Sequence, residues 1–98
     1  MNVRIVMTNA DPGDLRANGE VRRRGSPATL EPNVSSRRGH ATTFNVGPGK
    51  YTYVFGLDRD GDFSLVAVSA KSGAEIGDPR NYKDRSTGTV IRYFFEVP

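Results

Sequence analysis

Through most of this chain, apolar and polar residues alternate with a period of two, the spacing of a strand that turns one face to a core. The clearest run is residues 47–70, GPGKYTYVFGLDRDGDFSLVAVSA. Tyr51, Tyr53, Phe55 and Leu57 fall on one face, and Lys50, Thr52, Val54 and Gly56 on the other. Beyond an Asp-Gly turn, Phe63, Leu65, Ala67 and Ser69 alternate with Ser64, Val66, Val68 and Ala70. The spacing predicts a hairpin with Leu57 opposite Phe63, Phe55 opposite Leu65 and Tyr53 opposite Ala67. A slip of one residue would turn Phe63 and Leu65 out of the core, so burial is expected to hold that register. Val54, Val66 and Val68 on the second face predict a central hairpin, covered partly on both sides.

The flanking segments read in the same way. Val3, Ile5 and Met7 share a face and predict a strand over residues 2–8. Residues 9–14 carry turn chemistry, with Pro12-Gly13 as the break. Asn18-Gly19 is a favoured two-residue turn and predicts a short hairpin within residues 15–21. Residues 22–40 have no period and are punctuated by Gly25, Pro27, Pro32 and Gly39. They read as a long basic loop with one short strand around residues 28–30, and a connection of that length is functional or mobile. A strand follows over residues 41–46, with Thr42, Phe44 and Val46 on one face. Ser72-Gly73 turns the chain, residues 74–76 pair briefly, and residues 77–88 read mostly as loop. The last strand, residues 89–97, places Ile91, Tyr93, Phe95 and Val97 inward, with Arg92 and Glu96 outward. Phe94 shares that outward face. No window predicts an amphipathic helix. The pattern predicts a single all-β domain over residues 1–98, an antiparallel β-sandwich of about six to eight strands.

Pro48-Gly49-Lys50-Tyr51-Thr52-Tyr53-Val54-Phe55 resembles the proline-glycine-tyrosine corner of small bacterial β-sandwiches, such as transthyretin-like and carboxypeptidase-regulatory-like modules. It is also similar to the Tyr-x-Tyr-x-Phe strand that precedes an Asp-Gly turn in some starch-binding sandwiches. The resemblance implies a sandwich. Starch-binding modules rely on tryptophan platforms, and this chain has no tryptophan.

Composition narrows the function classes. A chain of 98 residues can bury a core without staples, and there is no cysteine to supply one. No apolar run approaches the roughly 20 residues of a membrane-spanning helix, so no membrane partner is expected. The opening segment, NVRIVMT, lacks the layout of a secretory leader, which favours the cytoplasm. The net charge is +3, and all of the excess lies in residues 1–40, where seven arginines face four acids.

Three local patterns bear on chemistry. Asp58, Asp60 and Asp62 concentrate hard oxygen ligands of the kind calcium takes. Phe63 stands where a helix-loop-helix calcium loop needs glycine, Ser69 where it needs glutamate, and Asp and Gly are also ordinary turn residues. Arg16, Arg22, Arg23, Arg24, Arg37 and Arg38 offer guanidinium forks for phosphate or another polyanion. Residues 8–43 hold no Phe, Tyr or Trp to stack bases, so any nucleic-acid footprint there is electrostatic. His40 is the one histidine, no nucleophile-elbow motif surrounds a serine, and a zinc site lacks ligands. At Gly49-Lys50, Phe44 and Tyr51 occupy positions where a phosphate-binding loop needs Gly and Ser or Thr.

The sequence therefore predicts a non-catalytic binding or assembly module that acts through a protein partner or by self-association, with Phe94 as a contact. Two alternatives stay open: calcium-dependent carbohydrate binding at the turn of Asp58, Asp60 and Asp62, and polyanion or nucleic-acid binding through the arginines of residues 16–38.

Overall fold

The structure is a computed structural model that describes residues 1–9, 14–26, 29–37 and 42–98. Nine strands form among the described residues: β1 (Asn2–Thr8), β2 (Arg16–Arg23), β3 (Thr29–Leu30), β4 (Val34–Ser35), β5 (Thr43–Asn45), β6 (Gly49–Leu57), β7 (Gly61–Ser69), β8 (Arg80–Arg85) and β9 (Ile91–Val97). All pairings are antiparallel. One sheet has the order β5-β1-β7-β8; the other has the order β3-β2-β6-β9, with β4 also on β2. The two sheets pack face to face as a β-sandwich. β3, β4 and β5 are only two or three residues long. They add short pairings to six longer strands.

Side-chain alternation places the core as expected. Val3, Ile5, Met7, Phe63, Leu65, Ala67 and Tyr82 face inward from the first sheet. Ala17, Val21, Tyr51, Tyr53, Phe55, Leu57, Ile91, Tyr93, Phe95 and Val97 meet them from the second. Phe55 meets Phe63 edge-on across the gap at 5.9 Å between centroids, and Phe63 stacks on Tyr82, its neighbour in the same sheet, at 4.8 Å.

The pairing of the central strands differs from the predicted hairpin. β6 pairs with β2 and β9, whereas β7 pairs with β1 and β8. The turn after Leu57 therefore arches from one sheet to the other, and the predicted cross-strand pairs do not form. A period of two states which face a side chain takes and is silent on which neighbour the backbone bonds. Two strands with one apolar face each satisfy that pattern equally well when the faces oppose each other across a sandwich. Val54 accordingly lies on the outer face of one sheet, and Val66 and Val68 on the outer face of the other. Lateral neighbours, rather than a further layer, leave them half-buried.

Three other expectations change. Asn18-Gly19 makes no turn; both residues lie inside β2, with Gly19 opposite Phe55. An ideal Cβ on Gly19 would collide with the Val54 carbonyl oxygen and lie 2.5 Å from Phe55 Cα. The glycine thus marks a close backbone approach, the second meaning of glycine in a strand. The predicted loop over residues 22–40 is partly sheet, because β3 and β4 both pair with β2. Residues 77–88 contain β8, whose only inward residue is Tyr82, so its sequence carries no period. The predicted Pro12-Gly13 break and the outer ends of the strands expected at residues 28–30 and 41–46 lie outside the described residues.

Candidate functional site

Among the described residues, β9 is the outermost strand of its sheet and pairs only with β6, in register from Gly49↔Val97 to Phe55↔Ile91. The direction of its backbone groups follows from the other side of β6. Arg24 N donates to Lys50 O and Asp58 N donates to Arg16 O, so the even-numbered residues of β6 bond β2. The odd-numbered residues of β6 then bond the odd-numbered residues of β9, because ladder groups alternate sides along a strand. The N–H and C=O groups of Arg92, Phe94 and Glu96 therefore point away from the sheet. The Arg92 carbonyl accepts the Tyr82 hydroxyl at 3.1 Å. The backbone groups of Phe94 and Glu96 have no partner among the described residues.

The side chains of the same three residues stand on the outer face, with Thr52 beside Phe94. Phe94 is 60% exposed and Val90, just before the strand, 59%. The two are exposed apolar points on a face that also carries the half-buried Val54 and polar side chains such as Arg22, bonded to Glu20 at 2.6 Å.

A groove of about 480 Å³ adjoins this edge. Phe94, Glu96, Lys50, Thr52 and Arg24 line one part of it, and Glu75, Ile76, Gly77 and Asp78 of the β7–β8 connection another. Tyr93 holds that connection in place. Its hydroxyl accepts a hydrogen bond from Ala67 N at 2.9 Å and donates to Asp78 O at 2.9 Å. Ile76 N and Gly77 N donate to Ala67 O at 2.9 and 3.3 Å. Gly77 permits the approach: a Cβ there would sit 2.5 Å from the Tyr93 hydroxyl oxygen and 2.9 Å from Phe95 Cβ. Burial pushes the Tyr93 phenol above its ordinary range, and the Ala67 N–H works against that rise.

The three aspartates of the acidic turn serve three separate backbone sites. Asp58 Oδ1 accepts from Arg16 N at 2.9 Å, Asp60 Oδ1 from Thr87 N at 2.8 Å and Asp62 Oδ1 from Asp84 N at 2.7 Å. The last bond closes a bulge where β8 carries an extra residue between its pairs Gly61↔Arg85 and Phe63↔Tyr82. Asp84 takes φ 54° there, as a bulged residue can. Asp60, Asp62 and Asp84 share a shallow hollow. Among the described residues, no three Asp, Glu or His side chains converge as a metal-holding group.

The arginines do not form one patch. Arg22, Arg23 and Arg24 lie at one end of β2 and its exit, while Arg16 and Arg37 share a hollow at the other end. At about 3.4 Å per residue, the two ends of the strand are roughly 24 Å apart. Arg38 and His40 lie outside the described residues. The tyrosines pack in the core with their hydroxyls bonded: Tyr51 donates to Gly47 O at 2.7 Å and Tyr53 to Ala17 O at 3.5 Å. The Tyr51 bond returns to the chain just upstream of its own strand, as in a tyrosine corner.

Comparison with protein-family models, curated proteins and solved structures finds no match. The functional reading therefore rests on the geometry of the chain itself. Phe94 was legible as an outward aromatic residue. So were Arg92 and Glu96 on the same face, but the unbonded edge that carries all three was not, because alternation contains no information on which strand ends a sheet.

Proposed function

We propose that this chain is a non-catalytic protein-interaction module that takes an extended segment of a protein partner along the outer edge of β9. The observation that carries the reading is the contrast between β9 and the other sheet edges among the described residues. β5 has three residues and β3 two. β8 carries the bulge, Lys83 and the positive φ of Asp84. Short length, bulges and lysines are among the devices by which proteins stop sheet edges from adding strands. β9 has none of them: its seven residues, IRYFFEV, pair with β6 without a register shift and contain no Pro, Gly or Lys. A strand added there gains main-chain hydrogen bonds at Phe94 and Glu96, and side-chain contact with the exposed ring.

The test uses a displayed library of short peptides selected on the wild-type protein and counter-selected on Phe94→Pro. Proline removes only an amide that points away from β6, so the ladder inside the sheet is kept. A wild-type far-ultraviolet dichroism spectrum checks that the variant is folded. The expected binders are extended peptides of alternating polarity that the variant does not hold. A selection that yields no binder, or binders held equally by the variant, overturns the reading.

A further inference from the structure

We infer that the strand received by β9 is β9 of a second copy, paired antiparallel about a two-fold axis at Phe94. This rests on the reading of β9 as an open, strand-accepting edge and adds the identity of the partner.

The register follows from three constraints. First, only Arg92, Phe94 and Glu96 present backbone groups outward, so bonded pairs must join even-numbered residues to even-numbered residues. Registers that pair odd with even fail to bond and also turn the side chains to opposite faces. Second, a two-fold interface is self-complementary: if one residue meets another, the reverse contact occurs as well. Third, charge chooses among the remaining registers. Arg92 and Glu96 stand symmetrically on either side of Phe94 and on the same face. Centring the axis on Phe94 sets Arg92 against the second copy's Glu96, twice, with the two Phe94 rings between them. Shifting the axis by one residue sets Arg92 or Glu96 against Phe94 and leaves the charges unmatched. The Tyr82 hydroxyl on the Arg92 carbonyl is no obstacle, since a carbonyl oxygen has two lone pairs. The product is one continuous sheet through both copies. A single edge pairing falls below the roughly 1,200 Å² of a standard interface, so the dimer is weak and concentration-dependent.

Sedimentation equilibrium over a wide range of protein concentration tests this. The wild type is expected to pass from monomer to dimer. Arg92→Glu alone and Glu96→Arg alone each set like charges together twice and should weaken the dimer by about tenfold or more. An equimolar mixture of the two variants restores opposite charges at both contacts. It should recover a heterodimer of wild-type strength, a result that misfolding cannot mimic. A wild type that stays monomeric at every concentration overturns the self-pairing. Peptide binding that is lost in Phe94→Pro would then still support the wider reading of the edge, whereas no peptide binding would remove both. A dimer unaffected by either charge reversal, or a mixture that fails to recover, also overturns the proposed register and partner.

Discussion

The Tyr93 hydroxyl lies 2.9 Å from the Ala67 backbone nitrogen, and through that bond a side chain of one sheet completes the ladder of the other. β8 begins at Arg80, opposite Leu65, so no β8 residue is left to bond Ala67. The phenol takes the missing place and also caps the Asp78 carbonyl.

Tyr93→Phe keeps the ring and leaves the buried Ala67 N–H without its acceptor. An unmade bond of this kind costs about 1–3 kcal/mol. In a domain of this size each kcal/mol lowers Tm by about 4–8 °C, which differential scanning calorimetry reads directly. A melting temperature equal to that of the wild type would show that the bond contributes nothing.

Burial, the leading cause in each case, raises the phenols of Tyr53, Tyr82 and Tyr93 above their ordinary value. The folded chain therefore holds these protons more tightly than the unfolded chain does. Their contribution to stability is whole below the unfolded phenol pKa of about 10 and falls as pH rises beyond it. Denaturant midpoints are expected to show this as a decline setting in near pH 10. The decline should be shallower in Tyr93→Phe, which has one such group fewer. Equal slopes in the two proteins would count against the assignment.

Gly19 and Gly47 are expected to behave in opposite ways. Gly19→Ala drives a methyl group into the backbone of β6, where neither Val54 nor Phe55 can withdraw without breaking the ladder. Overpacking against backbone should cost about 3 kcal/mol or more. Gly47 has open space around its Cβ position, so Gly47→Ala should stay within about 0.5 kcal/mol of wild type. Urea unfolding of the pair checks both values.

Asp62→Ala removes the acceptor for Asp84 N, and Asp60→Ala the acceptor for Thr87 N. Each exposed bond is worth about 1 kcal/mol. Thermal unfolding should show the same loss with and without calcium, because these oxygens serve backbone amides. A calcium-dependent rise in the wild-type Tm that disappears in Asp60→Ala would instead place a cation at the turn.

The amino-acid sequence alone determined the inward and outward sets of β1, β6, β7 and β9, down to Phe94 on the outer face. A pleated backbone turns alternate side chains to opposite sides whatever lies next to it, so this much is local. Tertiary structure alone decided which strands are neighbours. It sent β6 and β7 to different sheets, although Tyr53, Phe55, Phe63 and Leu65 are equally well buried in a hairpin or across a sandwich. It gave Asn18-Gly19 a place inside a strand, because the space beside Phe55 excluded a side chain more strongly than the dipeptide favoured a turn. It built β8 around one apolar residue, since a ladder with β7 and the stacking of Tyr82 on Phe63 need no alternation. It also left β9 last in its sheet. Hydrogen-bond partners depend on how the whole chain closes on itself, and no window of residues contains that closure.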